Sequence, residues 1–116
     1  MDSRTRGGFL GVQFDRLVQS REAPRRIVIE TDVAQVILTR HGNVVSCVCD
    51  LHVPSPQSSE ALRRRGAAED TFMISPNLSG KEFGIWLDRL LVDDLGAALD
   101  SEVRVLEHDF ELQPSS

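Results

Sequence analysis

The residues best suited to chemistry in this 116-residue chain are Cys47, Cys49, Asp50 and His52, all within six positions. Thiolates and imidazoles bind zinc, and an Asp that orients a His is a fragment of many acid–base and nucleophilic sites. The spacing argues against both. Side chains on a strand alternate between faces, so Cys47 and Cys49 point one way while Asp50 and His52 point the other. A structural zinc site wants four convergent ligands, usually on turns, so no metal site is expected. A Cys47–Cys49 disulfide is disfavoured too. Neighbours two apart on a strand have Cα atoms about 6.5 Å apart and parallel side chains, near the limit for bridging. A reactive Cys needs an exposed, electropositive setting with a base in reach. Flanked by Val45, Leu51 and Val53, these two thiols read as small, inert core residues.

Asp50 and His52 share the polar face of that strand, and His108 sits between Leu106 and Phe110 on a later one. Those three define the enzyme or ligand-site alternative, a cleft beside a sheet. No nucleophile motif accompanies them, so no catalytic residue is assigned, and an exposed charged pair plus a core-edge His is the expectation. Arg63-Arg64-Arg65 is the one basic run and is read as a contact for an anion or an acidic partner. Gly7-Gly8-Phe9-Leu10-Gly11 is too short to cradle a phosphate and follows no strand, and no cofactor motif is present.

Composition narrows the classes further. Net charge is −5 with no Tyr and one Trp, which offers neither a basic footprint nor stacking platforms for nucleic acid. No run approaches the ~20 apolar residues of a membrane span. The N-terminal residues lack a signal peptide's apolar stretch, and nothing suggests an exported disulfide scaffold, so a cytoplasmic address is expected. Twelve arginines against one lysine, Lys81, fit the codon usage of a GC-rich bacterial genome. With 41% hydrophobic residues, the chain is expected to form a single domain over 1–116 with its own core.

The elements that would hold these residues are read from periodicity. Leu10, Phe14, Leu17 and Val18 give helical spacing over 9–22, ended by Pro24. The β-branched stretch 26–39 reads as a strand, with Asp32 capping a short helix over 33–41 as the rival reading. Arg40-His41-Gly42-Asn43 supplies a turn and 44–53 alternates as a half-buried strand. Residues 54–70 are expected to be a mobile loop, with one helical turn possible at 60–65. A short strand follows at 72–74, and another over 102–112 with Leu106, His108, Phe110 and Leu112 on one face. Residues 1–8 and 113–116 are expected to fray. The fold class is therefore α+β: a small antiparallel sheet of about four strands, covered on one face by the N-terminal helix and a long capped helix over 79–99.

That long helix carries the strongest signal. Ser79 and Glu82 form a capping box. Phe83, Leu87, Leu90, Leu91, Leu95 and Ala98 make a core stripe, while Ile85, Val92 and Leu99 recur every seven residues on the opposite side. Asp94 would fall in the core stripe, so the helix is expected to break near Asp93 or to pair Asp94 with Arg104. A helix apolar on two sides points to a partner. Ile85, Val92 and Leu99 are read as its seam, with Trp86 as an anchor and Gly96 admitting another backbone. The expected function is a non-catalytic protein-interaction module, a homodimer or an adaptor, using no cofactor. In size, acidity and element order the chain is similar to small bacterial accessory proteins such as type III secretion chaperones and toxin-immunity proteins. It shares no motif with either and lacks the C-terminal helix of such chaperones.

Overall fold

The computed structural model describes residues 3–19 and 25–108. Two turns build most of its sheet. Thr31 accepts from the Ala34 amide through Oγ1 (3.0 Å) and donates to the Ala34 carbonyl (2.8 Å), folding β1 (Arg25–Glu30) back onto β2 (Ala34–His41). The stretch 26–39, expected to be one strand, is therefore two. Its rival reading as a helix capped by Asp32 also fails, because Asp32 instead accepts from the Ala98 amide at 3.0 Å. Gly42, at φ +60°, lets a two-residue turn join β2 to β3 (Val44–Leu51). With β4 (Thr71–Ile74) and β5 (Arg104–His108), the sheet is five-stranded and antiparallel, in the order β4-β3-β2-β1-β5.

Alternation sorts the strand residues onto two faces. The inner rows are Ile27–Leu38–Cys47–Phe72 and Val105–Ile29–Val36–Cys49, and they carry the core. On β5 the core side is Val105, with Val103 buried just before the strand, while Leu106 is half exposed. The expected face of that strand is thus reversed at its start, where a bulge opposite Val28 and Ile29 shifts the register. Residues 109–112 of the expected strand lie outside the described residues.

Among the described residues, three helices lie on the inner side. The first, α1 (Ser3–Gln19), begins six residues earlier than periodicity suggested and includes residues expected to fray. Its Leu10, Phe14 and Leu17 are fully buried, and Phe14 stacks on Phe83 with centroids 4.4 Å apart. The second, α2 (Pro56–Arg64), occupies the stretch expected to be a loop. Ser55 caps it by accepting from the Ser58 amide at 3.0 Å, and Leu62 inserts into the core. The third, α3 (Gly80–Arg89), carries the chain over the core from β4 at one edge of the sheet to β5 at the other. Ser79 caps it, as expected, its Oγ accepting from the Glu82 amide (3.1 Å); the second half of the box differs, because the Glu82 carboxylate accepts from the Ser79 hydroxyl (2.9 Å) and not from the Ser79 amide.

The helix does not run to residue 99. It widens into a π-helical turn at Leu90–Asp94 and stops at Gly96, whose φ of +78° lets the Ala97 amide reach back to the Leu91 carbonyl at 2.8 Å. The extra residue per turn keeps Leu90 and Leu91 in the core while swinging Asp94 outward. There Asp94 pairs with Arg65 Nε at 2.5 Å, not with Arg104.

Candidate functional site

The tightest contact in the molecule is between α1 and α3. Gly7 faces Gly84 and Gly11 faces Gly80, so the two helices run antiparallel with backbone against backbone. A Cβ on Gly84 would collide with the Gly7 carbonyl, and one on Gly11 with the Gly80 carbonyl. Removing four side chains from a helix crossing lets the axes approach far closer than Leu or Phe would allow. The five-residue run Gly7–Gly11, set aside as a poor phosphate loop, is half of this crossing.

A buried ion pair locks the crossing. Arg6 is 1% exposed, and its Nε lies 2.5 Å from Asp88 Oδ1 on α3. Its Nη1 donates to the carbonyls of Ala98 (2.9 Å), Leu99 (3.3 Å) and Ser101 (3.3 Å), and to Ser101 Oγ (3.1 Å). One guanidinium thus holds α1, α3 and the turn after Gly96 together. Arg6 is the residue of this crossing that sequence reading missed most completely, because a charged side chain in a stretch expected to fray carries no burial signal.

Outside the glycine crossing, the two helices leave a groove of about 600 Å³. Gly7, Gly8 and Gly11 form its floor, and Val12 and Ile85 stand on its flanks, 54% and 46% exposed. Because the helices are antiparallel, Asp15 and Lys81 share one end while Asp88 and Arg89 share the other. Asp88 is committed to Arg6, whereas Lys81 and Arg89 make no ion pair among the described residues.

The expected seam fares unevenly. Ile85 lines the groove. Val92 packs partly against the core, and Leu99 lies beyond the helix in an exposed turn, so the three form no continuous stripe. Trp86 is partly buried against the core: it meets Phe72 edge to face at 4.9 Å and tilts against Phe83 at 5.8 Å. Gly96 is explained by its positive φ. The arginine run is only partly compensated within the chain, two carboxylates facing its three guanidinium groups. Arg63 and Arg64 reach Glu60 at 3.0 and 3.9 Å, and Arg65 holds Asp94.

The enzyme alternative loses its geometry. His52 follows β3, and its Nε2 lies 3.0 Å from both Glu30 Oε2 and the Thr31 carbonyl, with no hydrogen bond or ion pair to Asp50 among the described residues. His108 pairs with Ile27 on β5, whereas Asp50 pairs with Gln35, opposite Glu30. By register these positions stand about 10 Å apart along the strands and about 14 Å across them. Cys47 and Cys49 are free thiols and buried. The neighbouring Cys49 and burial push the Cys47 thiol well above its ordinary range, so it stays protonated and unreactive. Among the described residues no three His, Cys, Asp or Glu side chains gather where a metal ion could sit, and no helix is long and apolar enough to cross a membrane.

Comparison with protein-family models, with curated proteins and with solved structures finds no match for this chain.

Proposed function

We propose that the chain is a non-catalytic protein-interaction module whose α1/α3 groove seats an amphipathic helix of a partner protein. The observation that carries this reading is the groove itself: apolar flanks at Val12 and Ile85 on a floor of glycine, with titratable groups kept to its two ends. An amphipathic helix laid in an apolar groove is a common mode of peptide recognition. The glycine floor lets such a helix approach closely. Arg89, with Asp88 already neutralised by Arg6, favours a partner carrying an acidic side chain at that end. The opposite end, where Asp15 and Lys81 stand together, favours a neutral polar one. A catalytic pocket would draw its titratable groups together around one point, which this groove does not.

Selection of helical peptides displayed on phage tests the reading. Wild-type protein is expected to enrich amphipathic helices with an acidic residue beside the apolar face, and Ile85→Glu is expected to lose them. Peptides recovered equally on both proteins would mean that the groove is not the binding surface.

A further inference from the structure

A second cavity, of about 140 Å³, shares no lining residue with the groove. The turn between β1 and β2 gives it Asp32 and Val33, the end of β3 gives Leu51, and the first turn of α2 gives Ser58. Leu95 lines it from just beyond the π-helical turn. Its volume is well below that of a pocket for a drug-sized molecule and suits a single side chain. Val33, Leu51 and Leu95 are apolar, and no lysine or arginine is among the lining residues. The carboxylate of Asp32 stands in these surroundings with one oxygen to spare. Its Oδ2 accepts from the Ala98 amide at 3.0 Å, and its Oδ1 has no partner among the described residues. His52 also lines the cavity, but its Nε2 turns to Glu30 and the Thr31 carbonyl, and it makes no ion pair with Asp32.

We propose that this cavity is a socket for one lysine side chain of a partner polypeptide. The methylene stem lies against Val33, Leu51 and Leu95, and the ammonium donates to Asp32 Oδ1. Ser58 Oγ is the second acceptor: it accepts from the Ser55 hydroxyl at 3.1 Å and keeps another lone pair. The one free oxygen of Asp32 selects lysine over arginine. A guanidinium binds a carboxylate best through both oxygens at once, and the Ala98 amide already holds one of them. An ammonium is a point charge and needs only the other. A neutral or acidic side chain would leave Asp32 without a counter-charge. The surroundings select a polypeptide over the free amino acid. Val53, 80% exposed, lines the cavity, and Leu99, 65% exposed, follows the Ala98 that Asp32 holds. Apolar neighbours of the lysine find contacts there.

Titration of backbone amide chemical shifts is the test, with N-acetyl-lysine methylamide as the probe. It is expected to bind in the millimolar range, the scale open to so small a ligand, and to move the amides of residues 32–33, 51–53, 58 and 95. Its norleucine analogue, the same stem without the charge, is expected not to bind, and the arginine analogue to bind less tightly. The tripeptide N-acetyl-Val-Lys-Val methylamide is expected to bind about tenfold tighter than the capped lysine, and free lysine no tighter than it. Asp32→Asn, which keeps an oxygen for the Ala98 amide, is expected to weaken binding at least about tenfold. Ile85→Glu, which disables the groove, is expected to leave it intact, so the two sites fail separately. No binding of the capped lysine to wild type, equal binding of the norleucine or arginine analogue, a tripeptide no tighter than free lysine, an Asp32→Asn variant that binds like wild type, or binding lost in Ile85→Glu would overturn the proposal.

Discussion

Helices α1 and α3 meet backbone to backbone, whereas α2 reaches the core through one buried side chain, Leu62, and one ion pair, Arg65–Asp94. The first contact has no slack. Gly11, Gly80 and Gly84 leave no room for a Cβ, and the side chains of its ion pair are only 1% and 7% exposed. The second contact is made of parts that can move: a Leu on a nine-residue helix and a pair whose side chains are 30% and 21% exposed. Both cover the same core, so the difference lies in what a substitution can do to each. A contact made by removing side chains fails when anything is added, and one made by inserting a side chain fails only when that side chain is taken away.

That contrast is sharpest at Arg6. Replacing it with Met takes the guanidinium away from the buried Asp88 carboxylate and from the carbonyls of Ala98, Leu99 and Ser101, and is expected to cost about 3 kcal/mol. Adding Asp88→Leu should restore much of the loss. Urea unfolding at fixed protein concentration measures both, and a double variant no more stable than Arg6→Met would show that the pair is not the unit that matters. Next come two glycines compared directly. Gly84→Ala drives a methyl into the Gly7 carbonyl and should cost about 3 kcal/mol, whereas Gly8→Ala, with open space around it on the same crossing, should stabilise by about 0.5–1 kcal/mol. Equal effects at the two positions would refute the close approach.

The α2 side should respond more weakly. Leu62→Ala is expected to cost about 2 kcal/mol, the low end for a buried Leu, because a short helix held at one point can settle into the space. Thermal unfolding would read it. Arg65→Ala should cost under about 1 kcal/mol and less still at high salt, since both charges are partly solvated. A loss at Arg65 as large as that at Arg6 would erase the distinction between the two contacts.

Sequence periodicity recovered what apolar side chains encode. Leu10, Phe14, Leu17, Phe83, Leu87, Leu90 and Leu91 are all in the core where their spacing placed them, and Val45, Cys47 and Cys49 share its face of the sheet. The Ser79–Glu82 cap was legible because its chemistry is local. The candidate groove was not, apart from Ile85. Its floor is defined by the absence of side chains, and Gly7, Gly11, Gly80 and Gly84 lower helix propensity instead of announcing a helix contact. The repeated Gly-x-x-x-Gly spacing on two segments was the available signal. The seam through Ile85, Val92 and Leu99 failed for the converse reason. It assumed an unbroken helix, and the π-helical turn and Gly96 remove Leu99 from that axis. The loop expected over 54–70 hid a helix because its polar residues face water, leaving Leu62 as the one buried side chain to signal α2.

Arg6 also sets an order of events during synthesis. Ninety-five residues separate it from Ser101, so at roughly 5–20 residues per second it waits several seconds on the growing chain for its last partner. Strands β1, β2 and β3 need no such delay, since their turns join neighbours and can pair as they emerge. Through that interval α1 carries an arginine made for an interior that does not yet exist, along with the apolar face of Leu10, Phe14 and Leu17. The nascent protein therefore exposes α1 to aggregation and to chaperones, and this helix, made before the other described elements, is among the last of them to close.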